Sequence, residues 1–279
     1  MSKRALFVHA HPDDETINNG ATMAQMVEDG VVVTLITCTR GEEGEVLVPE
    51  LSHLASNAED KLGNHRVTEL ANAMKELGVK DHRFLGDYRD SGMMDTPPNQ
   101  NPDCFWRADV EAAAKKLAAI IDEIKPQVMV TYDENGGYGH PDHIQTHRVA
   151  MRASEIANWQ IQKIYWNIMP KSVVQRGMDA MKAQGSDFFG AENVDELPFV
   201  KDDSFVSAVI HAPNQVEKKM AAMKAHATQI SLDGPFFALS NNLGVQVFGD
   251  EYYTLVKGEK AGPFNTDNLE TDLFAGIVI

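Results

Sequence analysis

Residues 4–17, Arg4-Ala5-Leu6-Phe7-Val8-His9-Ala10-His11-Pro12-Asp13-Asp14-Glu15-Thr16-Ile17, decide the fold. The first half is an apolar run without polar alternation, which reads as a strand buried on both faces. The chain then turns at His11-Pro12 and opens a helix, expected over residues 14–28, with Ile17, Ala21, Ala24 and Val27 on one side and Gly30 as its stop. A second buried strand follows at 31–38. Strand, helix, strand in that order is a crossover unit, which implies parallel pairing.

The pattern continues along the chain. A helix is expected at 59–77, carrying Leu62, Arg66, Leu70, Ala73 and Leu77, and a short third strand at 79–85. Residues 91–104 hold Pro97, Pro98 and Pro102 among Asn and Asp and read as a surface loop. Helices at 106–124, 144–157, 173–182 and 215–227 then interleave with strands at 126–132, 164–168 and 205–211, and two short strands are expected at 245–248 and 252–256. Residues 185–203 read as acidic and irregular. The fold class is α/β, a mainly parallel sheet flanked by helices with a smaller C-terminal β-containing region. No repeat, linker or low-complexity segment demands a second domain, so residues 1–279 are expected to form one unit, with a core at 1–170 and a more variable region at 171–279.

Forty-one acids against 25 bases give a net charge of -16, and no basic stripe is interleaved with aromatics. That excludes nucleic acid as an expected partner and favours a neutral or weakly charged small molecule. The apolar run near the start is too short for a signal peptide, and no segment approaches a membrane span. With only Cys38 and Cys104, a thiolate cage is excluded and a reducing cytoplasm is expected. Any metal must be held by imidazole and carboxylate.

Two segments carry chemistry. His9-Ala10-His11-Pro12-Asp13-Asp14-Glu15 lies where the first strand meets the first helix, on the ligand-binding edge of an open parallel sheet. Catalytic zinc sites use three protein ligands and keep a position for water. His11 and Asp14, three apart across the turn, can converge on one ion, which leaves Asp13 free as a base. Tyr138-Gly139-His140-Pro141-Asp142-His143 follows another buried strand through Asn135-Gly136-Gly137, and supplies a third ligand from His140 or His143. The alternative, two Asp-capped helix starts with Pro in the first turn, accounts for Pro12, Pro141 and one Asp in each segment but not for the histidines. His143 and His147 also have the i, i+4 spacing of a helical zinc pair, without the intervening Glu that would serve as base.

These segments occur together with Thr37-Cys38-Thr39-Arg40-Gly41-Glu42-Glu43-Gly44-Glu45, Arg89-Asp90-Ser91-Gly92-Met93, Thr131-Tyr132-Asp133 and, in the tail, Glu270-Thr271-Asp272-Leu273. In these motifs the chain resembles the LmbE-like (PIG-L) zinc-dependent N-deacetylases over most of its length, least between about residues 170 and 250. The resemblance implies a Rossmann-like fold with zinc on His11, Asp14 and His143. It further implies Asp13 as general base, and His140 as a charged stabiliser of the tetrahedral intermediate that could also be the general acid. Asp142 would orient a histidine, and Tyr138 would help polarise the amide carbonyl. Arg66, Asp90 and Glu45 would hold sugar and inositol hydroxyls. Arg66 could instead form a helix-surface ion pair with Asp60 or Glu69, and Asp90 could simply form the turn before Ser91-Gly92. The implied reaction is deacetylation of an N-acetylglucosaminyl-inositol in mycothiol biosynthesis, with cleavage of mycothiol S-conjugates as the rival. Iron(II) suits a His, His, carboxylate face as well as zinc does. A nucleotide-binding module is disfavoured, because His-Pro-Asp-Asp stands where a glycine-rich phosphate loop would be.

Overall fold

The computed structural model describes residues 2–183, 185, 190–231 and 249–278. The strands are β1 (Arg4–His9), β2 (Val32–Thr39), β3 (Asp81–Tyr88), β4 (Val128–Thr131), β5 (Lys163–Pro170), β6 (Val200–Lys201), β7 (Ala208–His211) and β8 (Asp250–Lys257). The α-helices are α1 (Asp14–Glu28), α2 (Leu62–Leu77), α3 (Val110–Ile124), α4 (Pro141–Ile156), α5 (Lys171–Ala183) and α6 (Val216–Ala225). They build a sheet in the order β3-β2-β1-β4-β5-β8-β7, with β6 beside the end of β5. Strands β1 to β5 pair in parallel, whereas β8 runs antiparallel to both β5 and β7. The C-terminal strands therefore continue the sheet of the N-terminal half.

The unbroken apolar run of β1 has its expected cause. Ala5 and Phe7 join a core shared with α1, α2 and α6, while Leu6 and Val8 join one shared with α3 and α4. With both sides covered, a strand has no use for polar alternation. The chain winds outward from β1 through β2 to β3, then returns to place β4 on the other side of β1. The C-terminal ends of β1 and β4 flank that reversal, where an open α/β sheet leaves a crevice.

Several boundaries differ from expectation for local reasons. α3 begins at Val110 and not near 106, because Asp109 caps it by accepting Ala112 N–H at 2.7 Å. α4 begins at Pro141, three residues before 144, since proline at its first turn needs no N–H partner. Helix α2 starts at Leu62, after a turn of 3-10 helix at Pro49–Leu54. The segment 91–104 is not simply a surface loop. Asn99 donates from Nδ2 to the carbonyls of Ser91 and Met93, folding the prolines back, and Ser91, Asn99 and Cys104 are buried. The strand expected at 252–256 is β8, whereas 245–248 lies outside the described residues. Among the described residues, no helix is long and apolar enough to cross a membrane.

Candidate metal centre and active site

β1 delivers His11 and Asp14 to the crevice, and β4 delivers His140 and His143 through the glycine-rich turn at 133–139. His11 Nδ1 lies 3.5 Å from Asp14 Oδ2, and His143 Nε2 lies 3.3 Å from that same oxygen and 3.3 Å from His11 Nδ1. Three donors bound at about 2.1 Å in tetrahedral directions stand about 3.4 Å apart. The triangle therefore fits one metal ion. The other nitrogen of each imidazole is already engaged: His11 Nε2 is 3.1 Å from Asp142 Oδ2, and His143 Nδ1 is 3.2 Å from the Gly136 carbonyl. Such outer hydrogen bonds fix tautomer and ring plane, leaving the inner nitrogens as acceptors. Asp14 Oδ2 is itself held by the His11 backbone N–H at 2.9 Å.

His140 overlaps this set, since ring nitrogens of His11, His140 and His143 lie within 4.8 Å of one another. The two candidate ligands separate on hydrogen bonding. His140 caps α4, its Nδ1 accepting the Asp142 backbone N–H at 3.1 Å, so the proton of a neutral ring sits on Nε2. Burial, with His11 and His143 nearby, pushes its imidazole down to about 3. His140 thus presents an Nε2–H donor beside the triangle. His147 is not drawn in: its Nδ1 meets the Tyr132 carbonyl at 3.0 Å and its ring lies edge-on to Trp166.

Asp13 occupies the N-cap position of α1, yet its side chain accepts none of the helix's N–H groups. Simple Asp capping therefore explains neither segment, because α4 is capped by His140. The Asp13 backbone sits at φ 118°, a conformation that costs on the order of 1–3 kcal/mol for a non-glycine residue. It is held there by Glu15 Oε2, which accepts its N–H at 3.0 Å, and by its own carbonyl, which accepts from Thr16 and Ile17. Burial raises the Asp13 carboxyl to about 6 against the pull of Arg66, with Asp14 adding to the rise.

Arg66 is not a surface residue. It is 3% exposed, Nη2 lies 3.2 Å from Asp13 Oδ2, and its amino groups donate to the Gly41 and Pro12 carbonyls. Its expected rivals are engaged elsewhere, Asp60 with Arg89 and Glu69 with Thr228. A side chain on Gly41 would collide with the guanidinium, since its Cβ would sit 1.9 Å from Nη1. Asp90 fills the turn-forming role and adds a contact to His11 that the sequence did not suggest. Oδ1 accepts the Gly92 N–H at 2.8 Å, as a turn former does, and also stands 3.6 Å from His11 Nε2. Although burial opposes it, His11 holds the Asp90 carboxyl well below its ordinary range. Asp142 is fully buried behind His11, where Ser91 donates to it from backbone and hydroxyl, so it positions the histidine and does not face the cavity.

These groups open on a cavity of about 670 Å³. Asp13, Tyr138 and His140 line it beside the triangle, and Glu45, Arg66 and Asp90 line it as well. Tyr138 is 38% exposed, with its ring edge-on to His143. Sequence reading missed the lining contributed by Asn167, Ile168 and Met169 from β5 and by Phe199, Lys201 and Gln229. Lys201 pairs with Asp133 at 2.7 Å across 68 residues, a separation that leaves no local signal.

Residues 6–154 match the family described as GlcNAc-PI de-N-acetylase (PIG-L). The chain is 55% identical to the 1D-myo-inositol 2-acetamido-2-deoxy-alpha-D-glucopyranoside deacetylase of Geodermatophilus obscurus, over 99% of this chain and 98% of that one. In fold it is similar to the N,N'-diacetylchitobiose deacetylase of Pyrococcus horikoshii, with a TM-score of 0.58, 21% identity and coverage of 92% and 85%. It is equally similar to the 4-carboxy-2-hydroxymuconate hydratase of Pseudomonas putida, with a TM-score of 0.59, 18% identity and coverage of 94% and 100%. The same fold thus serves a protein named for a different reaction, so chemistry must be argued from the site.

Proposed function

The chain belongs to the GlcNAc-PI de-N-acetylase (PIG-L) family of deacetylases, and from that premise we propose that it is a zinc-dependent hydrolase. It removes the acetyl group from 1D-myo-inositol 2-acetamido-2-deoxy-alpha-D-glucopyranoside, giving glucosaminyl-inositol and acetate in mycothiol biosynthesis. The observation that carries the reaction class is the His11–Asp14–His143 triangle with the Asp13 carboxylate, which caps no helix and faces Arg66, beside it. The substrate rests on full-length identity to the Geodermatophilus obscurus enzyme.

His11, Asp14 and His143 would hold the ion, which when bound supplies a Lewis acid that acidifies water and polarises a carbonyl. Asp13, with its carboxyl raised to about 6, accepts the proton of the attacking water near neutral pH. His140 donates Nε2–H to the oxygen that becomes negative as the acetyl carbon turns tetrahedral, and the Tyr138 hydroxyl donates from the cavity wall. The amide C–N bond then breaks as the nitrogen takes a proton. Asp13 returns it, because a neutral imidazole is no acid at Nε2 near pH 7. Arg66, Asp90 and Glu45, which line the same cavity, take the hydroxyls of the sugar and inositol.

A specific observation favours a second substrate, the mycothiol S-conjugates. The cavity lining includes Ile17, Ile168, Met169 and Phe199, which suit an apolar substituent. Acetate release from the acetylated pseudodisaccharide, assayed beside cleavage of a cysteine-conjugated amide, separates the two. A higher kcat/KM for the first is expected, and the reverse order overturns the substrate assignment. Metal analysis of protein purified without air, run on the same preparation, distinguishes zinc from iron(II).

A further inference from the structure

Behind the triangle lies a chain of buried polar side chains that the mechanism above does not use. Tyr132, directly after β4 and 2% exposed, stacks its ring on that of His143, with centroids 4.3 Å apart and planes 26° from parallel. Its hydroxyl accepts the N–H of Ala10, the residue before His11, at 3.0 Å. One side chain thus braces both segments that carry the histidine donors. Because Asn19 Oδ1 can only accept from His9 Nε2, His9 Nδ1 is left as an acceptor 2.9 Å from the Tyr132 hydroxyl, which also reaches the Asp14 carboxylate.

The remaining bonds follow in one direction. His9 donates from Nε2 to Asn19 Oδ1 at 2.8 Å, and Asn19 donates from Nδ2 to the Tyr253 hydroxyl at 3.1 Å. Tyr253 donates to Thr22 Oγ1 at 2.7 Å, beside Glu251. Glu251 accepts the N–H groups of Ala21 and Thr22 and the ammonium of Lys219. His9, Asn19, Thr22 and Tyr253 are fully buried. A buried polar chain is expensive unless every member is satisfied, and an apolar packing of the same volume would stabilise at least as well. What it adds is a single orientation for each ring along it.

We infer that Tyr132 is a positioning residue of the metal centre, set from behind by the His9–Asn19–Tyr253–Glu251 chain. It fixes the plane of His143 and the entry of the chain into His11, so that the strand β8, more than a hundred residues away in sequence, aligns the donor triangle. The inference rests on the ligand set proposed above.

The test uses the metal-stripped full chain and zinc(II), with affinity measured by competition against a chromophoric chelator and thermal unfolding of the metal-free protein followed separately. Tyr132→Phe keeps the ring and removes the hydroxyl. It is expected to weaken zinc binding by about tenfold, the usual scale for an outer partner of a metal ligand. At saturating zinc, kcat falls while KM for the pseudodisaccharide holds. Tyr253→Phe, at the far end of the chain, is expected to show a smaller loss of the same kind, and it carries the test if Tyr132→Phe does not fold. Zinc affinity within twofold of the unaltered chain, whatever happens to the melting temperature, assigns the variant residue to packing alone and overturns the inference. His143→Ala runs in parallel. If it binds zinc like the unaltered chain, the ligand reading fails and the inference falls with it. If it loses zinc while Tyr132→Phe does not, only the inference fails.

Discussion

Asp13→Asn separates catalysis from architecture, because the two move in opposite directions. Asn keeps the size of the side chain and, like Asp, is among the few non-glycine residues at home at positive φ, here 118°. No helix cap is lost, since the Asp13 carboxylate caps nothing. Arg66 keeps its bonds to the Pro12 and Gly41 carbonyls. The rise of the Asp13 carboxyl from 3.8 to about 6 says that burial opposes its charge by up to about 3 kcal/mol in the metal-free fold. For an acid raised on folding, that penalty is present above the folded value and vanishes once the carboxyl is protonated, below the unfolded value near 4. The metal-free Asn variant is therefore expected to melt higher than the unaltered chain at pH 8, and to lose that advantage as the pH falls through about 6 towards 4. Turnover moves the other way. Loss of a positioned base costs about two to four orders of magnitude in kcat, or about 2.7–5.5 kcal/mol of barrier. Zinc content stays at that of the unaltered chain, because Asp13 is not in the triangle. Amine release read by a fluorogenic amine reagent, metal content by atomic emission and melting at several pH values make up the assay. Turnover within tenfold of the unaltered chain, or a lower melting temperature at pH 8, refutes the reasoning.

His143→Ala is expected to lose bound zinc while His147→Ala retains it; metal analysis after gel filtration decides, and retention by the first returns the ligand question to His147. Arg66→Met removes the cation that opposes burial at Asp13, so the acid limb of kcat shifts to higher pH and the variant is slowed more at pH 6 than at pH 8; an unmoved limb on a kcat–pH profile counts against the pairing. Gly136→Ala would set a Cβ 2.5 Å from His143 Cβ and 2.7 Å from Ile144 N at φ 62°. A loss of about 1–3 kcal/mol in denaturant melts, with weakened zinc binding, is expected, and a neutral result would mean that this turn does not press on His143.

Much of the fold follows from neighbours in the chain. The unbroken apolar run of β1, the 3.6-residue period of α1 and the turn at His11-Pro12 are local, and all three stand where the sequence puts them. Boundaries moved where a cap and not a periodicity decides, as at Asp109 and His140. The mainly parallel sheet was legible because strands alternate with helices, but the insertion of β8 between β5 and β7 was not, since antiparallel return across more than 80 residues has no spacing to read.

The site divides in the same way. Sequence by itself assembled the chemical inventory, two His-Pro-Asp segments at strand ends, and with them His11, Asp14 and one later histidine; three residues across a turn is a spacing the backbone itself enforces. Tertiary structure decided which roles those groups can hold. His140 presents Nε2 and not Nδ1 because the Asp142 backbone N–H takes its Nδ1, and Asp142 turns to His11, 131 residues away, instead of to the cavity. Arg66 on α2 stands against Asp13, and Lys201, Gln229 and Tyr132 enter through contacts that span 68, 184 and 122 residues of chain. The reason is physical. Residue type and local spacing fix what a side chain can donate, accept or ligate, but pairing, tautomer and burial depend on which distant segment packs against it, and only the folded sheet brings those segments together.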